Sequence, residues 1–274
     1  MTIKQKLSGA FLLILSLCIT AVFMTPILVI LINSLKTASD SATMTLALPA
    51  KFEWSNFAVV FERGKLGTTF LNSLIYSSAS SAGIVVLTTA AAFVLSRRAG
   101  RIAEIIYYFI VLGTALPLNF IALMKVMKSL SLINTSAGII LLYMSIGIPI
   151  SLFISFGYIS TIPRELDEAA VIDGCTPLQL YVRIIVPMMT PVAMTIFVLN
   201  FMSCWNDFIM PLYFLNSTSK WPMTLAVYNF FGMFQTSWNL VSADIVLTSL
   251  PVLVTFILGQ KYIVGGITAG AVKG

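Results

Sequence analysis

The sequence predicts an all-α integral membrane protein with six transmembrane helices. Of its 274 residues, 58% are hydrophobic and only 9% are charged, and the mean hydropathy is +0.98. A helix needs about 20 apolar residues to cross the bilayer core, and stretches without any charge approach or exceed that length. These stretches cover residues 7–35, 66–96, 105–124, 129–163, 184–206 and 245–260. A soluble protein of this composition would have too little polar surface to face water.

The first predicted helix, about 8–34, resembles the start of a signal peptide because two lysines precede it. Signal-peptide apolar regions have about 7–15 residues, and this one is about twice as long, so we expect a retained helix. The last predicted helix includes Asp244, because its apolar stretch is otherwise short. Helices two to six are predicted at about 68–96, 103–124, 136–160, 188–213 and 241–260.

Three parts of the chain are expected. Residues 1–66 hold the first transmembrane helix and an outer loop, residues 67–260 form the transmembrane core, and residues 261–274 form a cytoplasmic tail. The three cysteines lie far apart in the sequence, in an odd number, and predict neither a disulfide framework nor a metal site.

An even number of spans places both termini on one side of the membrane. With the amino terminus inside, nine of the 16 Lys and Arg residues are cytoplasmic and seven are outside. The short turn with Arg97, Arg98 and Arg101 favours the inside most strongly, because tight loops follow the positive-inside rule best. We therefore expect a multi-pass membrane protein with both termini cytoplasmic. Its net charge of +6 is then explained by contact with the surface of the lipid bilayer, and no nucleic-acid partner is implied.

A polar loop (residues 161–187) interrupts this apolar chain on the cytoplasmic side. Thr161 is the predicted N-cap of a short helix, with Pro163 near its first turn and acids near the positive end of its dipole. Gly174 can take the left-handed conformation that ends a helix at little cost. Thr176-Pro177 repeats the start signal and leads into the fifth span. The polar loop is therefore predicted to form helix, glycine turn and helix.

The charge of the polar loop favours a protein partner over lipid. A connector lying on the membrane surface carries Lys and Arg toward anionic lipid, whereas this first helix carries four acids and one Arg. They are Arg164, Glu165, Asp167, Glu168 and Asp173. Small side chains at Ala169 and Ala170 allow another backbone to approach, and Glu168 offers a charge to a cation on that partner.

The order Glu168-Ala169-Ala170, three residues, Gly174, nine residues and Ile184-Ile185-Val186-Pro187 resembles the EAA loop of bacterial ABC importer permeases. The family form has Leu where Val186 stands. Further segments resemble the smaller permease of maltose-type carbohydrate importers, in order and spacing across essentially the whole chain. They are Asn33-Ser34-Leu35-Lys36, Asn72-Ser73-Leu74, Trp205-Asn206-Asp207-Phe208 and the tail from Gly265 to Gly274.

This resemblance implies a type I ABC importer permease fold in which the EAA loop supplies a cytoplasmic coupling helix. Such importers combine two permeases, two ATPase subunits and an extracytoplasmic substrate-binding protein, and this branch carries sugars or oligosaccharides. ATP and Mg would be bound by the partner ATPase, and no cofactor is expected in this chain. The residues that the resemblance assigns to ATPase coupling are Glu168, Ala169, Ala170, Asp173, Gly174, Ile184 and Pro187.

The sequence agrees with that division of labour. It contains no G-x-x-x-x-G-K-[ST] phosphate loop, no histidine and no G-x-S-x-G segment. We therefore expect a subunit that is not an enzyme. Two alternatives remain open: a permease for a non-sugar solute, and a secondary transporter or channel. The latter would need coupling groups inside the spans, where the nearest candidate is Asp207 near the outer surface.

The fifth span carries the most polar side chains, which suggest a translocation pathway lined by amide and aromatic groups. The candidates are Asn200, Ser203, Trp205 and Asn206. Such groups suit sugar hydroxyls and ring faces, but small polar residues also bond neighbouring membrane helices to each other. Both interpretations stay open on the sequence alone.

Overall fold

The computed structural model describes residues 3–98, 100–231 and 236–271. In this part of the chain the secondary structure is helical apart from one isolated β-bridge between Phe231 and Thr236. The α-helices are α1 (Ile3–Asn33), α2 (Ala38–Ser41), α3 (Ser55–Arg63), α4 (Leu66–Arg97), α5 (Arg101–Leu112), α6 (Phe120–Ser129), α7 (Ser136–Ile159), α8 (Glu165–Ile172), α9 (Pro177–Leu180), α10 (Val186–Asn206), α11 (Ile209–Phe214), α12 (Met223–Ala226) and α13 (Trp238–Ala271). The all-α membrane class is confirmed.

Five helical segments are long and apolar enough to cross a membrane. They are Leu12–Asn33, Leu66–Arg97, Ser136–Ile159, Pro177–Asn206 and Trp238–Gln260. These match the predicted first, second, fourth, fifth and sixth spans.

The predicted third span, about 103–124, is not one helix. It consists of α5 and α6, separated by residues 113–119. Helix α5 ends in backbone hydrogen bonds from the N–H groups of Gly113, Thr114 and Ala115, each to the carbonyl three residues earlier. Pro117 then lacks an N–H and disfavours helical geometry in the residue before it. Asn119 starts α6 by accepting a hydrogen bond from Ala122 N at 3.0 Å.

The ends of the last two spans also differ from the prediction. Helix α10 stops at Asn206, seven residues before the predicted end, because Asp207 is extended and caps the next helix. Helix α13 begins at Trp238 and continues to Ala271, so it includes most of the predicted tail. Residues 272–274 of that tail lie outside the described residues, and the division into three parts stays a prediction.

The chain divides into two compact units, and one of them comprises the described residues of 1–67 and 226–250. Its extended turn after α1 is held by Asn56, whose Nδ2 donates to Ser34 O and Lys36 O, each at 2.9 Å. Asn56 Oδ1 in turn accepts from Asn239 Nδ2 at 2.9 Å. Lys36 is buried and its Nζ donates to Thr45 O at 2.7 Å. The Asn33–Lys36 segment noted in the sequence is thus a hydrogen-bonded corner of this unit.

The other unit comprises the described residues of 68–225 and 251–274. Two apolar clusters form its interior. One contains Ile84, Leu152, Ile185, Met189 and Ile196, and continues into the polar loop through Ile162, Ala170 and Leu180. The second contains Tyr76, Met127, Leu142, Tyr143 and Phe214. Burial of such side chains holds α4, α7 and α10 together inside this unit.

Helix α4 fixes which loops of this unit share an end. Its 32 residues span about 48 Å at 1.5 Å per residue. At its carboxyl end Arg97 donates to Ile162 O of the polar loop at 3.2 Å. Near its amino end Asn72 Nδ2 donates to Trp221 O at 3.0 Å. The polar loop and the 217–221 loop therefore lie at opposite ends of the unit, as the predicted topology requires.

Candidate functional site

Helix α8 of the polar loop begins at Glu165 with Arg164 at its N-cap position, three residues after the predicted N-cap Thr161. Thr161 does not cap it, because its hydroxyl donates to Tyr158 O at 2.7 Å and closes the end of α7 instead. Arg164 occupies the N-cap position without a side-chain cap. Three acids in the first turn, Glu165, Asp167 and Glu168, interact favourably with the positive end of the helix dipole.

The carboxyl end of α8 is a glycine turn, as the sequence predicted. Gly174 has a φ of +79°, which lies in the left-handed region. Gly174 N donates to Val171 O at 3.0 Å, and Cys175 N donates to Ala170 O at 2.9 Å. This pair of bonds is the Schellman arrangement that satisfies the last carbonyls of a helix. It turns the chain directly from α8 toward α9.

The second half of the polar loop also begins as predicted. Thr176 Oγ1 accepts from Gln179 N at 3.3 Å, and Gln179 Oε1 accepts from Thr176 N at 2.8 Å. These two bonds form a capping box around Pro177. A π-helical turn over Tyr181–Ile185 follows and leads into α10. Pro187 explains this π-helical turn, because it has no N–H to donate the next i to i−4 hydrogen bond of an α-helix.

Two arginine contacts anchor the polar loop to the end of α4. Arg97 Nε lies 2.5 Å from Asp167 Oδ2, and both side chains are about 15% exposed, at 14% and 16%. Arg164 Nη2 donates to Ser96 O at 2.9 Å. Sequence reasoning missed Asp167 as an anchor. The available signal was that both the arginine turn and the acidic helix were predicted on the same side of the membrane.

The coupling residues assigned by resemblance separate into inward and outward groups. Ala170 is buried, at 3% exposure, among Ile162, Leu180 and Ile185. The expectation that Ala170 is open to a partner backbone is therefore wrong, because the helix turns this face toward its own chain. Ile184 is half-buried against the same cluster. The exposed members are Glu168, Ala169, Asp173, Gly174 and Pro187.

The outward surface of the polar loop combines acids with large apolar side chains. Ile172 is 85% exposed and Leu178 70%, and both lie beside exposed Glu168 and Asp173 in the sequence. Within the described part of the chain, neither acid has an ion-pair partner. A surface with exposed apolar groups and unpaired charges is typical of a docking site.

A cavity of about 540 Å³ opens beside the carboxyl end of α10. Ser203 and Asn206 line it, together with Tyr143, Asp207 and several apolar residues. Tyr143 donates from its hydroxyl to Asp207 Oδ2 at 3.0 Å. Asp207 also accepts from the amide of Met210 at 3.2 Å, so this carboxylate fixes the start of α11 at the cavity wall.

The other two pathway candidates are packed inside the unit. Asn200 Nδ2 donates to Ser151 Oγ at 3.0 Å and joins α10 to α7. Trp205 is 1% exposed, with Phe70 and Phe201 at ring-centroid distances of 5.7 and 5.6 Å. Its ring is therefore covered by aromatic neighbours and does not line the cavity. The contacts of Asn200 and Trp205 are those of helix packing, and their part in a translocation pathway stays a prediction.

Asp244 is an ionisable residue inside a span, although the sequence argument had named Asp207 as the nearest candidate. Helix α13 includes Asp244, as the predicted sixth helix did, so this carboxyl lies within the apolar segment Trp238–Gln260. Asp244 is 1% exposed and its Oδ1 has no hydrogen-bond partner in the described residues. Those residues also contain no cluster of His, Cys, Asp and Glu able to hold a metal ion.

Helical spans, an anchored polar loop and a cavity between packed helices define a membrane transport subunit. The chain belongs to the family described as binding-protein-dependent transport system inner membrane component, whose model matches residues 88–268. It is therefore a multi-pass membrane protein with the type I permease fold.

Curated relatives match nearly the full length of the chain. It is 31% identical to the melibiose/raffinose/stachyose import permease protein MelC of Bacillus subtilis, over 91% of each chain. It is 32% identical to the multiple sugar-binding transport system permease protein MsmG of Streptococcus mutans, over 90% of this chain and 91% of the relative.

A solved structure supports the same fold. A chain of a bacterial ABC transporter involved in the import of the acidic polysaccharide alginate superposes with a TM-score of 0.85 and 19% sequence identity. The match covers 96% of this chain and 98% of that chain.

Proposed function

We propose that this chain is one of two permease subunits of an ATP-driven importer for a sugar or oligosaccharide, and that its polar loop docks a separate ATPase. The observation that carries the proposal is the outward surface of α8 and α9. It exposes Ile172, Leu178 and Glu168, while Asp167 on the opposite side fixes the helix to α4. A helix that is anchored on one side and unpartnered on the other can transmit a partner's movement to the spans.

The assembly that we propose follows from the family. Two ATPase subunits would bind ATP and Mg and hydrolyse ATP, and a second permease would complete the pathway. A substrate-binding protein would deliver solute from outside. Glu168 would meet a cation on the ATPase, and the polar loop would therefore be cytoplasmic. Both termini would lie on that same side.

Sugar as the substrate class is supported by the names of the relatives MelC and MsmG. The cavity beside α10 offers the Ser203 hydroxyl, the Asn206 amide and the Tyr143 hydroxyl, groups that can exchange hydrogen bonds with sugar hydroxyls. Uptake of labelled melibiose, raffinose and maltodextrins by cells with the intact operon tests the class. Uptake of none of these, together with uptake of a non-sugar solute, would refute it.

The test of docking uses Glu168→Lys, which reverses one exposed charge and leaves the anchor intact. Opposed like charges across an interface cost several kcal/mol, so we expect normal membrane insertion with reduced ATPase copurification and no uptake. A compensating Arg→Glu change on the ATPase should restore part of both. Glu165→Lys, on the same turn, is the matched control for charge alone.

The orientation is tested separately. A membrane-impermeant thiol reagent should label Thr218→Cys in intact cells and Leu178→Cys only after permeabilisation. Both positions are exposed, and they belong to loops at opposite ends of the unit. Labelling of Leu178→Cys from outside would contradict the proposed docking.

A further inference from the structure

A second pocket lies between the end of α4 and the start of α5, away from the cavity described above. Its volume is about 440 Å³, within the range of pockets that hold small ligands. Its lining contains two arginines, Arg98 and Arg101, and otherwise only uncharged residues. These are Val94, Leu95, Gly100, Ile102, Ala103 and Ile106.

The three arginines of this turn have different environments. Arg97 is committed to Asp167 and the polar loop. Arg98 and Arg101 are exposed, and no carboxylate lies within ion-pair distance of either in the described residues. Glu104 follows one turn later on α5 but does not line the pocket. The pocket therefore has two positive charges without a counter-charge.

The apolar wall of the pocket identifies the layer in which it lies. Ile102 is 76% exposed, Val94 48% and Ile106 44%. Val94 belongs to the apolar span Leu66–Arg97, and Ile102 and Ile106 belong to the apolar helix α5 that follows it, so an open apolar surface lies beside the two arginines. Arg98 and Arg101 lie at the ends of the same helices, where lipid phosphates are found. An acyl chain can follow the apolar wall while its phosphate meets the guanidinium groups.

We propose that this pocket binds an anionic phospholipid, with Arg98 and Arg101 on the phosphate and Val94, Ile102 and Ile106 along an acyl chain. Guanidinium groups bind phosphate through paired N–H donors, and basic pockets between membrane helices accept anionic headgroups. Gly100 precedes α5 without a side-chain cap, which leaves the first amides of that helix available to the same phosphate. The inference does not depend on the sugar substrate proposed above.

A phospholipid bound in this pocket would affect the position of the polar loop. The arginine that anchors the polar loop, Arg97, is the immediate neighbour of Arg98. A phospholipid on Arg98 and Arg101 holds the end of α4 in the headgroup layer, at the point where Asp167 attaches α8. We therefore expect an anionic lipid to raise the efficiency with which ATP hydrolysis is coupled to uptake.

The test measures lipid affinity of the purified complex by native mass spectrometry. Dioctanoyl phosphatidylglycerol is titrated against wild type and R98A/R101A, with dioctanoyl phosphatidylcholine as the neutral-headgroup lipid. One basic residue near the surface contributes about fivefold to binding of an anionic lipid, so the double variant should bind phosphatidylglycerol about 30-fold more weakly. R98K/R101K keeps the positive charges but loses the paired N–H donors. Its affinity for phosphatidylglycerol should lie between those of wild type and R98A/R101A.

The matched control is K125A/K128A. It removes the same charge from exposed positions of α6, whose neighbour Met127 belongs to the cluster at the opposite end of the unit. This control should retain wild-type affinity for phosphatidylglycerol. If both double variants lose the same amount of affinity for phosphatidylglycerol, net charge explains the binding and the proposal is overturned.

Two further outcomes would also overturn it. Competition by inorganic phosphate as strong as that by phosphatidylglycerol would mean a site for free phosphate. Loss of ATPase copurification in R98A/R101A with unchanged lipid affinity would mean that the arginines contact the ATPase. Retained copurification together with the loss of phosphatidylglycerol binding supports the lipid site, whatever solute is transported.

Discussion

Replacing Asp167 with Asn tests whether the ion pair with Arg97 holds the polar loop in place. Exposed ion pairs contribute at most about 1 kcal/mol, whereas removing one partner of a buried pair costs about 3–5 kcal/mol. The Arg97–Asp167 pair is about 15% exposed on each side, and Arg97 would keep its bond to Ile162 O. We therefore expect a cost of about 2 kcal/mol, between these limits.

That cost acts on the docking of α8 and leaves the spans folded. About 2 kcal/mol shifts the ratio of anchored to released polar loop roughly 30-fold. Limited trypsin digestion should then cleave the loop faster at Arg164 and Arg183, and proteoliposomes should hydrolyse more ATP per solute molecule imported. Glu165→Gln removes one acid from the same helix without touching the anchor, and should match wild type in both assays.

The charge swap Arg97→Asp with Asp167→Arg separates the pair from other effects. Contacting residues are not additive, and a double variant that recovers part of the single-variant loss measures their coupling. Wild-type protease resistance and coupling in Asp167→Asn would refute the idea that this ion pair positions α8.

Three other substitutions test separate parts of the structure. Gly174→Val should cost about 1–2 kcal/mol through backbone strain alone, because no heavy atom lies within 4 Å of an added Cβ; Gly174→Asn should retain more uptake, and equal loss in both would argue against strain. Asp244→Asn keeps the side-chain size and should leave ATP-driven uptake intact, whereas loss of uptake with normal ATPase activity would favour a proton-coupled carrier. Gly147→Ala pushes a Cβ against the Asn200 side chain and should destabilise the purified complex by about 1–3 kcal/mol, measured as a lower Tm. The control Gly157→Ala adds a Cβ in open space on the same helix and should leave the Tm unchanged.

Long-range composition and short turn signals were sufficient to predict most of the fold. Five spans follow from apolar length, because the bilayer imposes one requirement on every helix that crosses it. The Gly174 turn and the Thr176 cap were predictable because their bonds reach only three to five residues along the chain. The prediction of one helix for the third span was wrong because the tight bonds at residues 113–115, followed by Pro117, interrupt a segment whose average hydropathy gives no warning.

Side-chain environments were predicted less well, since they depend on neighbours distant in sequence. Ala170 and Trp205 are residue types found both at surfaces and in interiors, and their burial is decided by Leu180 and Phe70. The Arg97–Asp167 pair joins positions 70 residues apart. Counting charges along the sequence does not predict which of them form a pair at that distance. Ser203 and Asn206 do line the cavity, but their part in transport stays a prediction.

Photo-crosslinking at Ile172 tests the central claim, the docking of the polar loop on an ATPase, most directly. Ile172 is 85% exposed on α8, so a benzoylphenylalanine there should disturb the fold little. In cells that express the complete proposed importer, we predict a crosslink from Ile172 to the ATPase, and none from Leu48, which is 75% exposed in the loop between α2 and α3. Crosslinks from Ile172 to lipid alone, or to the ATPase from Leu48 as well, would contradict the account.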